Sequence, residues 1–409
     1  MKDIKSIAFL FLVLVSVVAT GQSVSSVYSN RGVGLINYQG LPHNVGMGEV
    51  GIGTPAVSNI NLVNPAFLPL NASTQFQVGL EMDRRKISSS EIETRSVAGG
   101  MRFFSLSFPV VAGKWTSALG ISPYSTVNNR TFSGVDLSDQ TKAIISYRGS
   151  GGLTAYQWSN GFHLKKGLYV GGRVSFVAGS TINQETTYLT DSLYSLSVDF
   201  MDQSSFRGAK FDVALGYRKT LGDNRVINFG LIYENRGELN ARQNQWLINS
   251  TLAKTLIVEN EPFQYPLPST VGVGISYQIL NKLILGVDFS TSNWSINDDG
   301  IDRFRDTYKV AVGGQFIPDY ASVTNYLKRV SYRAGFNFGS IPVVINGVQI
   351  NELGINFGGS FPVGYSNLDW AFKYGRLGTL ENGLIRENYF RIVIGATMSD
   401  RWFIKRRYD

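Results

Sequence analysis

The chain has 409 residues, a formal net charge of +8, 44 glycines, 20 tyrosines, 25 phenylalanines and no cysteine. The lack of cysteine excludes a disulfide framework, a thiolate metal site, a cysteine nucleophile and a lipoprotein anchor. Beyond the N-terminus no run of about 20 apolar residues is available for a membrane helix. The basic residues form no nucleic-acid-type run apart from the short Lys405-Arg406-Arg407, so nucleic acid is not an expected partner.

In chain order, Met1 to Gly21 reads as a secretory signal peptide. Lys2 and Lys5 form the positive region, Ile7 to Val18 the apolar run, and Ala19-Thr20-Gly21 the small residues ahead of a cut before Gln22. Residues 22–73 carry turn residues throughout, among them Gly46-Met47-Gly48, Gly51-Ile52-Gly53-Thr54-Pro55 and Asn64-Pro65-Ala66. Apolar Leu35, Val45, Ile60, Leu62 and Val63 are scattered among them. Such a segment is too apolar for a free tail and too irregular for a strand, so it is expected to pack against something else.

From Thr74 to the end, residues 74–409, period-two alternation dominates. Val271, Val273, Ile275 and Tyr277 alternate with Gly272, Gly274, Ser276 and Gln278. Phe390, Ile392 and Ile394 alternate with Arg391, Val393 and Gly395. Strands are expected near 74–84, 95–109, 114–123, 140–164, 168–180, 206–219, 225–239, 268–279, 283–293, 306–316, 329–340, 350–361, 367–376 and 386–398. The expected connections alternate between long (124–139, 181–205, 240–267, 294–305) and short (110–113, 165–167, 220–224, 280–282, 362–366), with 317–328 as a longer member on the short side. Tight turns at one end and long loops at the other are the pattern of an all-β, antiparallel transmembrane barrel of about 14 strands in the outer membrane, with lipid around it. In that register Val273, Phe372 and Ile392 face lipid, while Gly274, Lys373 and Arg391 face the lumen. Arginine at Val273 or Ile392 is then expected to harm insertion more than Gly274→Ser. The inward charged candidates are Arg173, Asp212, Arg218, Glu234, Asp288, Lys309, Arg333, Lys373 and Arg391.

Some of these residues carry a likeness. Gly46-Met47-Gly48 followed by Asn64-Pro65-Ala66 before the first strand resembles the FadL-type outer-membrane transport family. So does Gly149-Ser150-Gly151-Gly152-Leu153, with the Lys165-Lys166-Gly167 turn and Leu168-Tyr169-Val170-Gly171 after it. The resemblance implies a fourteen-stranded barrel, an N-terminal hatch over 22–73 that fills the lumen, and hydrophobic cargo leaving sideways through a kinked third strand. Accessory barrels of protein secretion, of the PorV kind, are similar. One departure is the ending: Trp402-Phe403 is followed by Ile404 to Asp409, which either completes the last strand or forms a periplasmic tail.

On this reading Asn64, Pro65 and Ala66 fix a turn where the hatch meets the wall. Gly120 and Pro123 mark a lateral gate, because proline gives no N–H to a ladder and glycine packs weakly; the alternative is that Pro123 simply ends its strand. The inward charges bind the hatch or, alternatively, line a polar path. Enzyme chemistry finds no footing: His43 and His163 stand in no metal-type spacing, no nucleophile elbow occurs, and neither a cofactor nor a metal is expected. The acidic stretch Asp298, Asp299 and Asp302 lacks EF-hand spacing and reads as an exposed turn. Two functions remain: passive uptake of hydrophobic small molecules such as long-chain fatty acids, or a non-transporting accessory barrel of a type IX-like secretion or surface-protein assembly whose partner is a secretion-system protein.

Overall fold

The computed structural model describes residues 26–90, 92–136, 142–190, 195–249, 254–298, 300 and 303–400. The signal segment, Asp299, Asp302 and the terminal stretch 402–409 lie outside the described residues. A two-residue strand, β1 (Leu35–Ile36), and a one-turn helix, α1 (Pro42–Gly46), belong to the N-terminal segment. The wall is made of β2 (Thr74–Ser88), β3 (Glu93–Val111), β4 (Trp115–Asp136), β5 (Lys142–His163), β6 (Leu168–Thr190), β7 (Ser195–Thr220), β8 (Arg225–Glu234) and β9 (Gly237–Asn249). It continues through β10 (Lys254–Leu267), β11 (Thr270–Ile279), β12 (Leu283–Ser292), β13 (Thr307–Phe316), β14 (Ser331–Ile345), β15 (Val348–Val363), β16 (Ser366–Leu377) and β17 (Arg386–Asp400).

Every neighbouring pair is antiparallel, and β17 returns to β2 with a ladder from Asp400↔Thr74 to Arg386↔Ser88, so the sheet closes. β8 and β9 run end to end along β7, and β10 and β11 run end to end back down, with Pro268 at the second break. Each of these two pairs is one stave of the wall, and the closed ring has 14 staves. Closure removes the free edges that lipid would not tolerate.

The alternation sets the two faces. Val273 is 44% exposed on the outer surface, opposite Leu231 and Phe289 on the adjoining strands. Its neighbour Ser276 and, on β16, Lys373 point inward and are buried. The outer face is thus an apolar belt, and the chain is an integral outer-membrane barrel. The turns at 112–114, 164–167, 221–224, 280–282 and 364–365 lie at the end where β2 begins and β17 finishes, the periplasmic end. Trp115 and Phe162 stack at 5.6 Å there, part of an interfacial aromatic girdle.

Three of the expected long loops are not loops. Residues 124–136, 181–190 with 195–205, and 240–249 with 254–267 continue their strands outward as paired ladders. These segments are rich in Thr, Ser, Asn, Gln and Glu on both faces, as in Thr181 to Thr187. Beyond the membrane both faces meet water, so the alternation stops while the ladder continues. The fourth, 294–305, joins β12 to β13 as a connection, with a 3-10 helix at Ser295–Asn297 among its described residues.

Candidate functional site

Residues 26–73 lie within the ring and are mostly buried. Their backbone touches the wall directly, and the wall supplies glycine for it. A side chain at Gly53 would come within 2.3 Å of the Gly274 backbone. The same contact is fixed by charge: the Asp288 carboxylate on β12 accepts the N–H groups of Gly51, Ile52 and Gly53 at 2.6, 2.7 and 3.1 Å. Asn64 caps the 3-10 helix Pro65–Leu70 by accepting the Ala66 N–H at 3.0 Å, and its amide donates to the Ile52 carbonyl at 2.8 Å and the Leu215 carbonyl at 3.3 Å. Pro65 takes the first helical position, where its missing N–H costs nothing. This motif therefore holds the segment to itself and to β7.

All the inward charged candidates point into the lumen, and most meet in clusters. Arg173 binds Asp212 at 2.6 Å, Glu234 at 3.0 Å and the Leu62 carbonyl of the hatch at 2.7 Å; Lys210 completes the group at 2.5 Å from Glu234. Lys309 and Lys373 both bind Glu49 of the hatch, and Lys373 also binds Glu352 at 2.9 Å. Arg391 binds Asp83 at 2.9 Å, and Arg333 binds Asp369 at 3.3 Å. Arg218 stands apart from these groups, at the periplasmic end near Gly167. Buried charges need such partners, and two of these four groups take one from the hatch, the Leu62 carbonyl or Glu49. Glu49, Lys210, Asp83 and Glu352 were not singled out in the sequence. Glu49 was hidden because nothing in an irregular segment tells a lumen-buried glutamate from a solvated one.

The wall parts between β3 and β4. The β3–β4 ladder runs from Val111↔Trp115 to Phe104↔Ile121 and stops. β3 continues outward paired with β2 alone, and β4 continues to Asp136 with β5 as its one partner in the wall. Both strands are irregular at this level: Arg102 is an extra residue in β3, and Tyr124 an extra residue in β4, just after Pro123. Such bulges bend strands and re-aim side chains. Gly120 is paired on both sides below the parting, whereas Pro123 stands within it; the strand does not end there.

Residues 35–39 span the parting like a strap. Leu35 and Ile36 of β1 pair with Thr126 and Ser125 of β4. The Asn37 N–H donates to the Tyr124 carbonyl at 2.9 Å, and the Gln39 amide donates to the Pro123 carbonyl at 3.1 Å. From the other side, Arg102 of β3 donates to the Tyr38 carbonyl while holding Glu81 at 2.7 Å. Farther out, the Ser26 N–H donates to the Asn128 carbonyl at 2.8 Å, and the Asn128 N–H to the Ser29 hydroxyl at 3.0 Å. An unpaired backbone group facing lipid costs several kcal/mol, so the hatch completes what the wall leaves open.

A family model for BamG matches residues 3–409, nearly the whole sequence. The chain belongs to the BamG family. Among solved structures, this BamG-family barrel is similar to the CymD monoaromatic hydrocarbon channel (16% identity, 90% of this chain and 99% of that one, TM-score 0.57). It is also similar to the toluene transporter TbuX of Ralstonia pickettii (15%, 89% and 99%, 0.58) and to a FadL homologue of Pseudomonas aeruginosa (13%, 88% and 97%, 0.59). No curated protein matches. At these identities the likeness is one of fold, and it establishes a FadL-type barrel.

Behind the strap of this BamG-family barrel lies a cavity of about 320 Å³. Leu35, Ile36, Tyr38 and Tyr124 line it toward the parting, and Lys309, Lys373 and Arg391 line its far side. Lys309 sits 4.1 Å from the centre of the Tyr38 ring, joining the charged side to the strap. The two histidines lie elsewhere. His43 is buried in α1, and His163 stacks on Tyr169 at 4.5 Å beside the periplasmic turn. Among the described residues no group of acidic or histidine side chains is placed to hold a metal.

Proposed function

We propose that this barrel passes a hydrophobic small molecule between its lumen and the bilayer through the parting of β3 and β4, with residues 35–39 as the movable strap. Long-chain fatty acids are the cargo class we favour. The observation that carries the reading is the end of the β3–β4 ladder at Phe104↔Ile121, in front of a cavity. Ion pairs such as Arg173–Asp212 and Glu49–Lys373 border the cavity on its lumen side, and an apolar molecule gains nothing by passing among them. The wall offers a shorter route to lipid. Pro123 favours a parting, because it has no N–H to give to either neighbour. The similar barrels CymD, a monoaromatic hydrocarbon channel, and TbuX, a toluene transporter, point the same way.

The test uses the absence of cysteine. Ile36 and Ser125 are directly opposed across an antiparallel pair, so Ile36→Cys with Ser125→Cys forms a lock. Fatty-acid uptake into proteoliposomes should stop on oxidation and return on reduction. Equal uptake in both states sinks the strap as a gate.

A second reading, the accessory barrel of a secretion or surface-protein assembly, is favoured by one observation. The parting is bonded from both sides, by Arg102 and by Gln39, and the cavity behind it is rimmed with charge. If the reduced parent carries no fatty acid at all, this reading replaces the first.

A further inference from the structure

The periplasmic end carries a surface that neither passage of cargo nor binding of the hatch uses. The connection 317–330 is long for that end, and it is folded rather than loose. The Asp319 N–H donates to the Lys328 carbonyl at 2.8 Å, the Asp319 carboxylate accepts the Ala321 N–H at 3.1 Å, and Asn325 caps the 3-10 helix Tyr326–Arg329. The Tyr326 hydroxyl donates to the Pro362 carbonyl at 2.9 Å, which joins this connection to the turn holding Tyr365. On the other side the Ile317 N–H donates to the Lys282 carbonyl, and the Leu280 N–H to the Asn224 carbonyl, both at 2.8 Å. Four successive periplasmic connections thus form one continuous arc.

The composition of that arc is unusual for a solvated rim. Val323 is 95% exposed and Tyr365 89%, with Tyr320 and Leu327 also exposed between them. Around them stand exposed Lys219, Arg225, Lys282, Lys328 and Arg329, against Asp223 and Asp319. Ordered, exposed apolar side chains inside a basic field mark a surface built for contact. The most exposed residues sit at the tips of the connections, beyond the last paired residues Phe316 and Val363, and so beyond the membrane belt. The girdle explains rings on the wall but not apolar groups at those tips.

We infer that this arc docks an acidic face of a periplasmic protein, with Val323 and Tyr365 as the apolar anchors and Lys328, Arg329 and Lys282 as the charge complement. The inference stands whether or not cargo crosses the wall. The charge match selects the partner and speeds encounter, while the anchors supply the buried area.

The test places a photo-crosslinking amino acid at Val323 and, separately, at Tyr365 in cells, with Val213 on the lipid face as control. The expected result is a discrete protein adduct at both tips but not at Val213, identified by mass spectrometry as a periplasmic protein of net negative charge. Lys328→Glu with Arg329→Glu should lower its yield about tenfold, since two reversed contacts cost roughly 1–2 kcal/mol. Heat-modifiable gel migration should stay normal, which shows that the barrel is intact. A Val323→Asp variant, read through the Tyr365 probe, should give a similar loss. Adducts with phospholipid only, no adduct at either tip, or a protein adduct indifferent to charge reversal would each overturn the inference.

Discussion

At the scale of single residues, Gly274 shows how a small inward residue differs from a tolerant one. Alternation places it on the lumen side, where Gly274→Ser is expected to harm insertion less than arginine on the outer face. A Cβ there would lie 2.1 Å from the Asp288 carboxylate and 2.4 Å from the Gly53 nitrogen. The position is reserved for the approach of the hatch backbone. Gly274→Ser should therefore release the segment around Gly51 to Gly53, seen as new protease cleavage there, while the barrel still assembles. Normal protection would show that the hatch has room to move aside. Asp288→Asn should act in the same direction, since hydrogen bonds to a charged group are each worth about 1.5–3 kcal/mol.

Protons act on the same segment. Burial, and then the Arg333 guanidinium, push His43 down to about 3. An unfolded imidazole takes its proton near 6.5. Stability from the neutral, buried ring is therefore complete above about pH 6.5 and falls as the pH drops from there toward 3. For Glu49, burial raises the carboxyl, but Lys309 and Lys373 outweigh it and hold the group well below the usual range. Its contribution is present above the ordinary glutamate range near 4.3 and is lost only as the pH falls through the lowered value. Between about pH 6.5 and 5, protonation of His43 should weaken the hatch. Thermal unfolding in detergent should show a fall over that window, absent in His43→Gln. An unchanged slope in the variant would place the titrating group elsewhere.

At the scale of elements, what the sequence reveals depends on what each face meets. The membrane portions of the staves are legible because lipid and lumen differ, and the short periplasmic turns fall where Lys165-Lys166-Gly167 and similar stretches mark them. The outward halves of β4, β6, β7, β9 and β10 are not, because water on both faces erases the period. Pro123 is legible as an irregularity, but not its consequence. That a strand can leave one neighbour and keep the other depends on bulges at Arg102 and Tyr124, which leave no mark in composition. The strap is equally hidden, since pairing of Leu35–Ile36 with β4 spans about 90 residues of sequence and joins no recognisable strand pattern. Arg102 offers a handle on it. Arg102→Gln removes the ion pair to Glu81 and weakens the hold on Tyr38; breaking a buried pair typically costs about 3–5 kcal/mol. A cysteine placed at Gln39 should then react with maleimide faster than in the Arg102 background. Equal rates would mean that the strap is held by β4 alone.

At the scale of the whole molecule, the account joins a closed wall to a segment that finishes it from within. The wall alone sets insertion. Val273→Arg and Ile392→Arg on the outer face should cost about 2–4 kcal/mol at mid-depth and lower the folded fraction in outer membranes. Tolerance of both would contradict the register. The central claim is that the hatch supplies the hydrogen bonds that β3 withholds from β4. Hydrogen–deuterium exchange of the barrel in nanodiscs tests it most directly, by following the β4 peptide 122–128 in the parent and in a variant lacking residues 26–40. The account predicts slow exchange in the parent, comparable with the fully paired lower part of β4, and a sharp rise in the deletion variant with the remaining staves unchanged. Fast exchange of 122–128 in the parent would show that the edge stands open and would contradict the account.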